Sequence, residues 1–138
     1  MNARAGVVAA ALALSMMSGC AGVQEKAPEG PLYIGGLIFE NRAQSFITAI
    51  RLVVPETGGF VSCGNVSPGG ICSTTFPGRE WLGHPFEVTW SQNGQIWSSG
   101  AMTVQPAPSV IEAGEAEVRV MINAPGSTSV TLVPMPVP

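Results

Sequence analysis

The stretch PFEVTWSQNGQIWSS, residues 85–99, decides how this chain is read. At its centre stands Asn93-Gly94, a dipeptide that supplies the two positive φ angles a tight two-residue hairpin turn needs. Pairing Gln92 with Gln95 sets the register. Counting outward then puts Trp90 opposite Trp97, on the face that also carries Val88 and Phe86. Two indoles facing each other across a hairpin form a cross-strand aromatic pair, and on this apolar face they belong in a β core.

The pattern continues on both sides of the hairpin. After Pro31 the apolar residues recur with a period of two, in short runs divided by Gly, Pro and Asn, and no stretch reads as a long helix. Strands are expected over residues 32–39, 46–54, 60–63, 71–76, 85–91, 95–104, 117–122 and 128–133. In the second, Phe46, Thr48, Ile50, Leu52 and Val54 share one face and Arg51 emerges on the other, at the surface. A second turn, Asn123-Ala-Pro-Gly-Ser127, joins the apolar faces Val118, Val120, Ile122 and Val130, Leu132. Seven or eight short strands with turn signals every 8 to 12 residues predict an all-β, antiparallel two-sheet sandwich of immunoglobulin-like kind. A small barrel is the alternative.

The amino end is of a different character. One early cation, Arg4, precedes an apolar run from Val7 to Met17 of about 11 residues. That matches an export signal and is too short to span a bilayer, which takes roughly 20. The residues that follow, Met17-Ser18-Gly19-Cys20, resemble the lipobox of bacterial lipoproteins. The resemblance implies that residues 1–19 are a signal peptide, that Cys20 is lipidated and becomes the mature N-terminus, and that the protein is anchored in the cell envelope through that lipid. In bacteria with two membranes, Ala21 after the cysteine implies the outer membrane, facing the periplasm or the cell surface. Residues 20–31, small, polar and proline-marked, read as a flexible tether of about 35 Å at full extension. Residues 32–134 then form one domain, and 135–138 a proline-rich tail.

Three cysteines leave an odd one in an exported protein, and lipidation of Cys20 accounts for it. Cys63 and Cys72, with eight residues between them, are expected to join in an oxidising compartment. Closing a loop of about 10 residues contributes on the order of 2.5 to 3 kcal/mol by the chain-entropy estimate. So close in sequence, the pair is expected to pin two neighbouring strands across a Gly- and Pro-rich loop rather than bridge two sheets. A redox-active or metal-binding pair would favour Cys-x-x-Cys spacing or further ligands.

Composition bounds the chemistry. With Arg4 removed, the acid and base counts of 9 and 6 become 9 and 5, a net charge of about minus four, which leaves no basic footprint for nucleic acid. There is no Asp, His84 is the single histidine, and no Gly-x-Ser-x-Gly motif occurs, so a non-enzymatic protein is expected. Nothing implies a cofactor. Glu112, Glu115 and Glu117 read as a solvated edge rather than a calcium loop. Met102, Met121 and Met135 with His84 have the ligand chemistry of a soft copper site, although core packing explains the methionines more cheaply.

One segment has the composition of a recognition surface. Between two expected strands, residues 77–85 gather Arg79, Trp81 and His84, side chains that anchor interfaces when carried on a loop of a rigid scaffold. The plainer reading has Trp81 and Leu82 cap the open end of the core while Arg79 and Glu80 face water. The sequence thus points to a lipid-anchored envelope module that binds an envelope protein partner or has a structural role. A carrier of a small ligand or of a metal such as copper, with its site near the 77–85 loop, is the alternative.

Overall fold

The computed structural model describes residues 29–135. Residues 1–28, with the expected signal peptide, Cys20 and most of the expected tether, and residues 136–138 lie outside the described residues. Eight strands form: β1 (Tyr33–Asn41), β2 (Ile47–Val54), β3 (Gly59–Cys63), β4 (Ile71–Glu80), β5 (Glu87–Gln92), β6 (Gln95–Ser98), β7 (Glu115–Ala124) and β8 (Ser127–Pro134). They make two four-stranded sheets, ordered β4-β1-β7-β8 and β3-β2-β5-β6. No strand pairing joins the sheets into a barrel among the described residues. The core lies between them, with Phe39, Ile47, Val88, Trp90 and Val120 almost wholly buried.

The hairpin that fixed the reading forms in the expected register, with Trp90 paired to Trp97 and Gln92 to Gln95. Asn93 takes a φ of 53° and Gly94 one of 76°, the left-handed values that the turn requires. The β7–β8 hairpin likewise pairs Val118 with Leu132 and Val120 with Val130.

Three expectations are corrected. The sandwich is not wholly antiparallel, because β1 and β7 run parallel, with Phe39 beside Val120. A parallel neighbour needs a crossover. Here the chain leaves β1 for the other sheet and returns through a short helix, α1 (Pro108–Ala113), to the end where β1 starts. The helix itself had no signal in the period-two reading. It begins on Pro108 and stops at Gly114, whose φ of 78° suits a left-handed cap.

The second correction concerns β2. Its alternation does not run unbroken from Phe46, because Ala49 takes a φ of 51° and the pairing with β5 shifts between Thr48 and Arg51. One extra residue is accommodated as a bulge, which reverses the side-chain phase. Ile47 and Ile50 therefore both point into the core, and Phe46 is left 62% exposed. Beyond the bulge the expected phase holds, with Leu52 buried and Arg51 at the surface. A similar slip at Gly35 lets Ile34 and Leu37 both face inward on β1.

The third concerns the disulfide. Cys63 and Cys72 are bonded, but β3 and β4 are not neighbours in one sheet. They are the edge strands of opposite sheets, so the bond bridges the sandwich along one side.

The end of the sandwich that holds the β1–β2 loop is knitted by polar groups. Asn41 donates from Nδ2 to the carbonyls of Ser45 and Val66, each at 2.9 Å, and its Oδ1 accepts from the Ala43 N–H. Gln92 donates to Ser45 Oγ and accepts from Trp90 Nε1 at 3.1 Å. Both amide side chains are buried with both ends partnered, which is the condition under which buried polar groups do not destabilise.

Candidate functional site

At the opposite end the two sheets part. From the disulfide, β3 runs back four residues to Gly59, about 13 Å at roughly 3.3 Å per residue, while β4 runs on to Glu80. The inward positions of these edge strands do not fill the space between the sheets. Gly59 and Val61 face in from β3, and Thr74 and Phe76 from β4. The result is a cleft of about 520 Å³. Its floor is the main core, with Ile34, Leu37, Leu52, Phe86 and Val118 from four different stretches of chain.

The 77–85 segment builds the mouth. Its first half is not loop, as expected, but the end of β4, where Ile34 pairs with Arg79 and Tyr33 with Glu80. A register shift around Phe76, Pro77 and Gly78 is absorbed because β4 is an edge strand, where a proline removes no inner ladder bond. The remainder turns across to the other sheet. Trp81 donates its backbone N–H to the Leu32 carbonyl at 2.7 Å, and Gly83 takes a φ of 76° at the turn. His84 Nδ1 then lies 2.6 Å from Glu56 Oε2, in the turn between β2 and β3. The mouth is thereby tied to both sheets.

All three residues singled out from composition, Arg79, Trp81 and His84, line this cleft. Trp81 packs on the core as the plainer reading had it, half-buried, while Leu82 is 64% exposed rather than capping. The Arg79 guanidinium passes close to Gly59, where a Cβ would stand 3.7 Å from its nitrogen. Arg42 pairs with Glu40 and Arg119 with Glu117, and Arg51 lies 4.2 Å over the Phe60 ring. Among the described residues Arg79 makes no ion pair.

Composition did not single out the opposite wall. Thr57, Gly59, Phe60 and Val61 line the cleft because the β2–β3 hairpin belongs to the facing sheet, a long-range fact with no local signal. The methionines are not gathered around His84. Met102 packs beside Phe86, Met121 pairs with Ser129, and the Met135 sulfur stands against Gly35. Among the described residues no group of three or more His, Cys, Asp or Glu side chains is placed to hold a metal ion. Glu115 and Glu117 lie on the outer face of β7, alternating with its buried residues.

No protein-family model matches the chain, and no curated protein matches it. Among solved structures, the NMR structure of a protein from Eubacterium rectale is similar over 80% of this chain and 94% of its own length. The two are 11% identical in sequence, and the TM-score is 0.46.

Proposed function

We propose that this protein is a lipid-anchored, non-enzymatic binding module of the cell envelope, and that its inter-sheet cleft takes a small, largely apolar ligand. The observation that carries the reading is the cleft itself. Its volume of about 520 Å³ falls within the roughly 300 to 1,000 Å³ of small-molecule sites, and it has an apolar floor, with Arg79, Glu80 and His84 at the mouth and only the hydroxyl side chains Ser62 and Thr74 further in. Arg79, Trp81 and His84 line a concave wall, which favours a small ligand over the flat docking surface that a protein partner would use. We read the sandwich as immunoglobulin-like, with β1 switched alongside β7. The anchor rests on the lipobox resemblance at Met17–Cys20.

Two measurements test this. Titrating the mature protein with an apolar fluorescent dye should give saturable binding, and Val61→Trp, which places an indole in the cleft, should reduce it at least tenfold. Equal dye binding by a folded Val61→Trp protein, checked by its melting curve, sinks the cleft. Separately, labelled palmitate should be incorporated by the native chain and not by Cys20→Ala; equal labelling or none in both removes the anchor.

A further inference from the structure

We propose that the occupant of the cleft is a single-chain amphiphile with an anionic head, a fatty acid in chemical class, whose carboxylate sits on Arg79. The inference rests on the small-ligand reading above and goes beyond it in naming chain, charge and direction of entry.

The chain follows from the shape. The cleft is a slot between two sheets, whose faces in a sandwich stand about 10 Å apart. Taking about 30 Å³ for each water-sized group, it holds on the order of 15 methylene-sized groups, one chain and not two. Val54, Phe76 and the floor residues offer a continuous hydrocarbon surface, so affinity should grow with every methylene buried.

The head follows from the charges at the mouth. Glu56 is engaged by His84 at 2.6 Å, and Glu80 is the other carboxylate there. Arg79 is the cation, exposed and without an ion pair among the described residues, its guanidinium lying alongside Gly59. A guanidinium presents a planar fork of donors that matches a carboxylate.

The direction of entry follows from the topology. The chain enters the domain at Leu32, whose carbonyl accepts the Trp81 N–H at 2.7 Å, so the mouth lies at the end where the proposed tether would join. Tyr33, Phe60 and Leu82 are 42%, 57% and 64% exposed at that same end. An acyl chain leaving a bilayer would meet these apolar side chains first.

The test is a chain-length series on the mature protein carrying Cys20→Ser, so that its own lipid is absent. Octanoate, decanoate, dodecanoate and tetradecanoate are titrated by calorimetry. Each pair of methylenes should tighten binding by roughly tenfold or more, at about fourfold per methylene. The alcohol of the same length should bind about tenfold more weakly than the acid. Arg79→Gln should erase that difference by weakening the acid far more than the alcohol. Affinity independent of chain length, equal affinity for acid and alcohol, or binding only to vesicles of anionic diacyl lipid overturns the proposal. If the acids fail while the apolar dye still binds, the ligand class is wrong and the cleft stands.

Discussion

The disulfide between Cys63 and Cys72 joins the last residue of one edge strand to the second residue of another in the opposite sheet. It closes one end of a side of the sandwich whose other end is the cleft. A short covalent loop thus acts as an inter-sheet tie that no hydrogen-bond ladder replaces.

Replacing both cysteines with alanine should lower the unfolding free energy by about 2 to 3 kcal/mol, the chain-entropy value for a loop of this length. Urea denaturation of the native and double-variant proteins measures it. A difference below about 1 kcal/mol would mean that packing alone holds β3 and β4 together.

Ala49 stands in the left-handed region at a φ of 51°, where a Cβ costs roughly 1 to 2 kcal/mol. Glycine removes that cost but adds about 0.4 to 1 kcal/mol of unfolded-state entropy. Ala49→Gly should therefore raise stability by about 0.5 to 1 kcal/mol, and Ala49→Val should lower it, both read from melting curves. A Gly variant less stable than native would show that the bulge is not strained.

Asn41 satisfies two carbonyls and one N–H with a single buried side chain. Asn41→Ala leaves all three without that partner, and we expect a loss of roughly 2 to 4 kcal/mol. Amide exchange at Ala43 should accelerate in the variant. Unchanged protection there would mean that another group or water takes over the bond.

Gly126 and Gly58 both adopt positive φ, at 78° and 74°. They differ in surroundings. A Cβ on Gly126 meets two ring carbons of Trp97 at 3.4 Å, whereas nothing lies within 4 Å at Gly58. Alanine at either should cost about 1 kcal/mol or more through the backbone. The difference between the two losses reports the contact between the β7–β8 turn and the facing sheet, and Trp97 emission should shift only in the Gly126 variant. Equal losses and an unchanged spectrum would show that Trp97 yields freely.

Much of the strand layout was legible because its signals are local. Asn93-Gly94 sets the Trp90–Trp97 register within a dozen residues, and period-two apolarity marks all eight strands. The alternation misled where a bulge reverses its phase. Nothing in the types of Thr48 or Ala49 announces an extra residue, since the bulge is fixed by what lies opposite on β5. At the site, the composition of residues 77–85 drew attention to Arg79, Trp81 and His84, but not to the Thr57–Val61 wall they face.

By itself the sequence determined the β period, the two hairpins among the turns and the cysteine pair, because each depends on residues near one another along the chain. It also set the resemblance on which the anchoring of Cys20 rests. Only the tertiary structure decided that β1 lies parallel to β7, that β3 and β4 fall in opposite sheets, and that a cleft opens between them. Those outcomes depend on which strands exclude water from one another across the whole chain, a sum of distant contacts that no local spacing encodes.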